Sequence, residues 1–113
     1  MKYLSTRGGE DDVSFTSVLL NGLAKDGGLY VPKSFPKFSF KDLKNLSHMN
    51  YSDLCYEVTK SFISESDIPH KDYKKICYET YDNKFSENII NIDKLSQSEN
   101  ILNLYHGPTL TFK

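Results

Sequence analysis

Short runs of apolar and polar residues open the chain and predict a mixture of strands and helices. Residues 2–6 are rich in strand formers and predict an edge strand. Ser14 precedes apolar residues at helical spacing and therefore predicts the cap of a helix. Gly22 and the glycine pair 27–28 end that helix, and residues 29–32 predict a brief extended segment closed by proline. The apolar positions of the helix are Phe15, Val18, Leu19 and Leu23.

The middle of the chain predicts three further helices. Ser39 and Asp42 have the spacing of a capping box, in which the acid replaces the usual Glu or Gln, and predict a short helix to about Leu46. Asn50 can cap the next helix, and Pro69 suits the first turn of the last one. The linker between these two longer helices is short and polar, which favours an antiparallel hairpin.

Two cysteines lie on the apolar stripes of that hairpin. Cys55 and Cys77 are about equally far from its turn, so the pattern predicts that they face one another. We interpret them as small core residues, because a metal pair would need two further ligands that the spacing does not supply. His48 and His70 also lack partners at zinc-ligand spacing and are predicted to face solvent.

The pattern changes beyond Lys84. Isoleucines at 89, 90 and 92 predict a strand, and residues 96–100 predict a polar turn. Residues 101–105 form a second apolar run, which predicts a buried strand. This run leads into the motif His106-Gly107-Pro108-Thr109-Leu110-Thr111-Phe112-Lys113. Loops at strand ends are where open α/β sheets place ligand sites, so the motif is a candidate site.

Composition and charge exclude several classes of protein. The 113 residues have a net charge of -1, which gives no electrostatic basis for binding nucleic acid or an anionic membrane. No run approaches the roughly 18 apolar residues of a membrane span. Polar and acidic residues fill the N-terminus before an apolar signal region can form, and two cysteines make no disulfide framework. These features predict a protein of the reducing cytoplasm.

Two basic residues are candidate functional residues, and each can also be explained without a function. Lys113 is either a solvated charge or an amine that a dry site activates as a nucleophile. Arg7 is the single arginine and can either grip a phosphate or carboxylate or form a surface or interdomain ion pair. Spacing alone favours a solvated charge for Lys113 and a surface or interdomain ion pair for Arg7.

Three stretches of the sequence favour a functional role for Lys113, because they resemble one family. Residues Tyr3–Gly8, Leu19–Pro32 and His106–Lys113 resemble, in order and spacing, the N-terminal part of the threonine synthases. These are enzymes that depend on pyridoxal phosphate (PLP) and have the tryptophan-synthase-β fold, PLP fold type II. The resemblance implies an α/β protein, mixed α+β in this stretch. Residues 1–88 would form a mostly helical N-terminal domain with a short sheet, and residues 89–113 would begin the catalytic domain.

The resemblance also implies roles for the last motif. The lysine that falls on Lys113 binds PLP covalently in the family, and Phe112 would pack against the cofactor ring, a use that suits a flat apolar side chain. The resemblance assigns no role to His106, Thr109 and Thr111, whose hydroxyl and imidazole groups make them candidate substrate contacts at the cleft, and Arg7 is a further candidate because of its guanidinium. The family usually has alanine where this chain has Thr111, a small change that we expect to leave activity intact.

The implied reaction converts O-phospho-L-homoserine and water to L-threonine and phosphate. The family's cofactor-phosphate loop and its group facing the pyridine nitrogen lie downstream of Lys113, so the chain by itself is predicted to be inactive and not to bind PLP. The expected partners are the small-molecule substrate and the remainder of the catalytic domain, with no nucleic acid, membrane or metal. Two alternatives stay open: a threonine-synthase-like phospho-lyase acting on phosphorylated substrates, and a free-standing helical interaction module.

Overall fold

The computed structural model describes residues 1–81, 89–107 and 109–110. The described elements form two small sheets and a set of short helices, with a single 3-10 turn at Lys60–Phe62. In chain order they are β1 (Tyr3–Ser5), α1 (Phe15–Asn21), β2 (Tyr30–Pro32), α2 (Phe40–Leu46), α3 (Tyr51–Thr59), α4 (His70–Tyr81), β3 (Asn91–Lys94) and β4 (Asn100–Asn103). None of the helices in these ranges is long and apolar enough to cross a membrane.

The predicted helix caps are confirmed. The side chains of Ser14, Ser39 and Asn50 each accept a hydrogen bond from the backbone N–H three residues ahead. Ser39 and Asp42 form the full capping box, since the Asp42 carboxylate also accepts from the Ser39 backbone N–H at 2.8 Å. Gly22 ends α1 with a φ of 72°, a conformation that glycine adopts without a Cβ clash. Local hydrogen bonding therefore decides where these helices begin and end.

The helices α3 and α4 form the predicted antiparallel hairpin. Their contacts run in opposite directions along the two helices. The rings of Tyr51 and Tyr81 meet edge-on with centroids 4.9 Å apart, at one end of the pair. At the other end the hydroxyls of Thr59 and Tyr73 lie 2.7 Å apart. The beginning of α3 therefore lies against the end of α4, and the end of α3 lies against the beginning of α4.

The cysteines face one another across this hairpin, as predicted. Cys77 is buried and Cys55 is half-buried, and their thiols are close enough to share a hydrogen bond. Burial, followed by the nearby Cys77 thiol, raises the pKa of the Cys55 thiol to about 11. Because the thiolate is the reactive form of cysteine, this environment favours a packing role for Cys55.

The two sheets are separate antiparallel pairs, and the β1–β2 pair is the short sheet predicted within residues 1–88. Tyr3 of β1 pairs with Pro32 of β2, and Asn91 of β3 pairs with Asn103 of β4. The strand predicted at residues 101–105 is present as β4, but the prediction that it is buried is wrong, since only Asn103 in that run is buried. Apolar strands are buried only when another layer covers them, and the described residues place no such layer over β4.

The two histidines differ from each other. His48 is exposed, as predicted. The prediction that His70 faces solvent is wrong, because its side chain is half-buried and has partners on both ring nitrogens. Nε2 lies 3.3 Å from the Ile63 carbonyl oxygen, and Nδ1 lies 3.3 Å from the Glu65 carboxylate. The linker before α4 folds back over the ring, which sequence spacing does not reveal.

Candidate functional site

Two loops meet beside the β1–β2 sheet and form the most highly bonded polar region of the described structure. We call residues 5–10 and 24–29 the Asp26 loop cluster. The Asp26 carboxylate accepts hydrogen bonds from the Ser5 hydroxyl at 2.7 and 2.8 Å, one to each oxygen. It also accepts from the backbone N–H groups of Gly9 and Gly28, both at 2.8 Å. One carboxylate therefore joins segments about twenty residues apart.

The charge of Asp26 is stabilised by these donors. The Ser5 hydroxyl first, and then the Gly28 N–H, lower the pKa of the Asp26 carboxyl below its ordinary value. Ser5 is only 1% exposed, so its hydroxyl needs a partner inside the protein, and Asp26 supplies it. Every buried polar side-chain atom of the described residues has such a partner.

Glu10 makes a second link between the same two loops. Its carboxylate accepts from the Lys25 backbone N–H at 2.7 Å and from the Tyr30 hydroxyl at 2.8 Å. These two bonds, the Lys25 N–H first, lower the pKa of the Glu10 carboxyl. Asp26 thus joins the first two stretches that resemble the threonine synthases, and Glu10, which lies between them in the sequence, bonds to the second.

The two glycines of the second loop are required for different structural reasons. Gly27 has a φ of +76°, and a Cβ on it would lie 3.1 Å from Nη1 of Arg7. A Cβ on Gly28 would lie 2.2 Å from the Ser5 hydroxyl oxygen. Gly27 therefore supplies the positive φ of this turn. Gly28 instead allows the close approach of the two loops.

Arg7 lies on the outer side of the cluster. Its Nη1 donates a hydrogen bond to the Asp26 backbone carbonyl oxygen at 3.1 Å, and its backbone N–H donates to the Ser5 hydroxyl at 3.2 Å. The side chain is otherwise exposed, and no carboxylate among the described residues forms an ion pair with it. The loops therefore hold a guanidinium in place with most of its donors available to an anion.

The second candidate region follows β4. His106 is half-buried and its ring contacts that of Tyr105, with centroids 4.4 Å apart. The Leu110 N–H donates to the Gly107 carbonyl oxygen at 3.0 Å, which closes a turn, and Thr109 in this turn is exposed. The other predicted residues of this motif, Thr111, Phe112 and Lys113, lie outside the described residues.

The predicted site residues that the structure describes follow two different sheets. Arg7 comes after β1 of the β1–β2 sheet, whereas His106 and Thr109 come after β4 of the β3–β4 sheet. The described residues also hold no group of three or more side chains suited to a metal ion. A pocket of about 220 Å³ between α2 and the end of α3 is lined by charges that are already satisfied, since Lys60 pairs with Glu57 at 2.6 Å and Asp42 caps α2.

Sequence reasoning missed the central role of Asp26 and Glu10. The only local signal for Asp26 is its place before two glycines, a common turn pattern. Its partner Ser5 lies 21 residues away, and no periodicity connects them. Such a cluster becomes visible only when the two strands pair.

Comparison with known proteins shows the family of the chain. The family model described as "Threonine synthase N terminus" matches residues 2–81, most of the chain. The chain belongs to the threonine synthase N-terminal family. A threonine synthase from Pseudomonas aeruginosa is 41% identical over 113 residues, which is 100% of this chain and 24% of that protein. A threonine synthase-like 2 protein from Xenopus laevis is 36% identical over the same share of the chain and 24% of its own length.

Solved structures of the family share the fold. A PLP-bound threonine synthase from Brucella melitensis superposes with a TM-score of 0.84 at 35% identity, covering 99% of this chain and 24% of that chain. Yeast threonine synthase superposes with a TM-score of 0.77 at 30% identity, covering 94% of this chain and 22% of that one. The chain thus spans about a quarter of the length of the relatives it matches.

Proposed function

We propose that this chain is the N-terminal part of a threonine synthase, a PLP-dependent lyase that converts O-phospho-L-homoserine and water to L-threonine and phosphate. The observation that carries the proposal is the end-to-end match to the Pseudomonas threonine synthase, which includes the stretch that ends in Lys113. The superposition on the PLP-bound Brucella enzyme supports it. Within the proposal, residues 1–88 are the N-terminal domain and residues 89–113 begin the catalytic domain of PLP fold type II.

Lys113 is proposed as the residue that holds PLP covalently, with Phe112 packed on the cofactor ring. The residue types suit that group: a primary amine can condense with an aldehyde, and a flat aromatic side chain can stack on a ring. When bound, PLP supplies an electron sink that stabilises negative charge on the substrate carbons. The Lys113 Nζ would then move protons to and from those carbons.

The substrate has a phosphate and a carboxylate, and the chain offers few groups for them. Arg7 is the best supported among the described residues, because the Asp26 carbonyl and Gly27 already fix one side of its guanidinium. Such preorganisation lowers the entropic cost of gripping an anion. His106 and Thr109, and Thr111 beyond them, are proposed as polar contacts of the substrate near Lys113.

The described part of this chain supplies scaffold rather than a complete reaction site. Its buried polar groups are satisfied by one another, and the residues with proposed chemistry lie on two different sheets or outside the described ranges. We therefore propose that the 113-residue chain alone has no threonine synthase activity and does not retain PLP. The remainder of the catalytic domain is its proposed partner, and the cytoplasm its proposed location.

The test uses the full-length gene product that contains this chain. Purified protein with PLP and O-phospho-L-homoserine should release threonine and phosphate in equal amounts, and borohydride reduction followed by peptide mapping should place the cofactor on Lys113. Lys113→Ala should abolish both signals, while the matched control Lys94→Ala, an exposed lysine of β3, should keep them. Cofactor on another lysine, or on none, would contradict the proposal.

The same assay separates the main alternative. That alternative is a threonine-synthase-like phospho-lyase acting on phosphorylated substrates, and the chain is 36% identical to a threonine synthase-like 2 protein. Phosphate release with no threonine, from a protein that still carries PLP on Lys113, would establish that alternative. Threonine production would rule it out.

A further inference from the structure

Four leucines around the end of α1 form an exposed apolar surface, which we call the leucine patch: Leu19, Leu20, Leu23 and Leu29. Their exposed fractions are 64%, 80%, 57% and 61%. No residue of α1 is buried. Among all described residues only four apolar side chains are buried: Tyr3, Ala24, Ile63 and Cys77. The described structure therefore leaves its strongest apolar residues in this region uncovered.

The backbone brings the four leucines into one short region of the fold. Leu19 and Leu20 lie in the last turn of α1, and Leu23 follows the Gly22 cap directly. The Ala24 N–H donates to the Gly28 carbonyl oxygen at 3.0 Å and closes the loop between them. Leu23 and Leu29 flank this bonded pair, so both lie at the base of the loop.

The patch is also fixed to the Asp26 loop cluster. The Thr6 N–H donates to the Leu29 carbonyl oxygen at 2.9 Å, and the Leu29 N–H donates to the Thr6 hydroxyl at 3.0 Å. Thr6 precedes Arg7, whose guanidinium is bonded to the loop between Leu23 and Leu29. A rigid polar base thus presents an apolar face with a single arginine at its edge.

We propose that the leucine patch is the surface on which the remaining three quarters of the threonine synthase chain packs. The same fold occurs in the Brucella structure as 24% of a longer chain, so the occupant has a known source on the same polypeptide. Contiguous exposed apolar surface of this kind marks an interaction site. This inference rests on the proposed function, and it places Arg7 at the boundary between the two parts of the enzyme, where a substrate contact would need it.

A cysteine-labelling experiment on the full-length protein tests the proposal. Leu20→Cys and Leu23→Cys are compared with Lys71→Cys, an exposed position on α4. Cys55 and Cys77 stay in place as a slow background, because both are at least partly buried. In the native protein the two patch cysteines should react with a thiol reagent at least about a hundredfold more slowly than in denaturant, as expected for buried positions, while the Lys71→Cys thiol should react almost as fast as in denaturant.

Rapid labelling of both patch positions in the native protein would overturn the proposal. Protection that is lost on dilution would also overturn it, because the occupant would then be a second copy of the protein. If a variant does not fold, hydroxyl-radical footprinting of the unsubstituted full-length protein decides: patch leucines that are oxidised much more slowly than in denaturant support a covered patch, and oxidation as fast as in denaturant refutes it. Threonine production is measured on the same samples, so protection without activity would leave this inference standing and remove the proposed function instead.

Discussion

The Asp26 loop cluster and the β3–β4 hairpin are both built on two-stranded antiparallel sheets, yet they are stabilised in opposite ways. In the cluster, carboxylates, hydroxyls and backbone N–H groups satisfy one another, and Ser5 and Tyr3 are buried. In the hairpin, the directly paired Ile92 and Leu102 are both mostly exposed. A two-stranded hairpin by itself is marginally stable in water. The polar network of the first region is complete within this chain, whereas the apolar strands of the second need a covering layer.

Replacing a tyrosine in each region should give the largest difference in the free energy of unfolding. Tyr3 is 7% exposed, its ring packs 6.2 Å from that of Phe15, and its hydroxyl donates to the Phe62 carbonyl at 2.7 Å. Tyr3→Ala should lower the free energy of unfolding by about 3–5 kcal/mol. Tyr105→Ala, at a position 54% exposed beside the hairpin, should cost less than about 1 kcal/mol. Urea denaturation of the 113-residue chain measures both, and equal losses would contradict the comparison.

The second largest difference in stability is expected from replacing one glycine in each region. Gly28→Ala places a Cβ 2.2 Å from the Ser5 hydroxyl oxygen, and the resulting overpacking should cost up to about 3 kcal/mol. Gly107→Ala, which meets nothing within 4 Å, should change stability by no more than about 0.5 kcal/mol. Thermal denaturation of the two variants checks this. A neutral Gly28→Ala would mean that the loops can separate freely.

A smaller loss is expected from Ser5→Ala. It removes the hydroxyl that donates to both oxygens of Asp26 and should cost about 1–2 kcal/mol, because a carboxylate loses its main donor. Ser98→Ala, in the exposed turn between β3 and β4, serves as the control and should be near neutral. Denaturation midpoints compare the two variants. A loss at Ser98 as large as at Ser5 would remove the distinction between the regions.

The smallest effect is a dependence on pH. The donors around Asp26 lower the pKa of its carboxyl in the folded chain below the ordinary value of 3.8, so the ionised form stabilises the fold. That stabilisation is present above the ordinary pKa and is lost as the pH falls through the lowered one. The stability difference between the unsubstituted chain and Asp26→Asn should therefore be constant near neutral pH and shrink as the pH falls below about 4. A difference that stays the same down to pH 2.5, roughly the end of this range, would show that the charge contributes nothing.

Sequence reasoning succeeded where interactions are local. Ser14, Ser39 and Asn50 were predicted as caps because each bonds a backbone group three residues away. It failed for residues 101–105, where burial depends on what lies against the strand, and it did not find Asp26. For the proposed site, the motif ending in Lys113 came from resemblance alone and stays a prediction, whereas the fixed position of Arg7 required the structure.

By itself, the sequence determined the helix limits, the facing cysteines of the α3–α4 hairpin and the family, because each depends on short-range periodicity or on a linear motif. The tertiary structure decided that Asp26 joins the first two motifs, that Glu10 links the same two loops, that Arg7 is held at their edge, and that four leucines around the end of α1 stay exposed. The physical reason is that hydrogen bonds and apolar contacts between distant segments depend on how the strands pair, and a linear pattern does not contain that information.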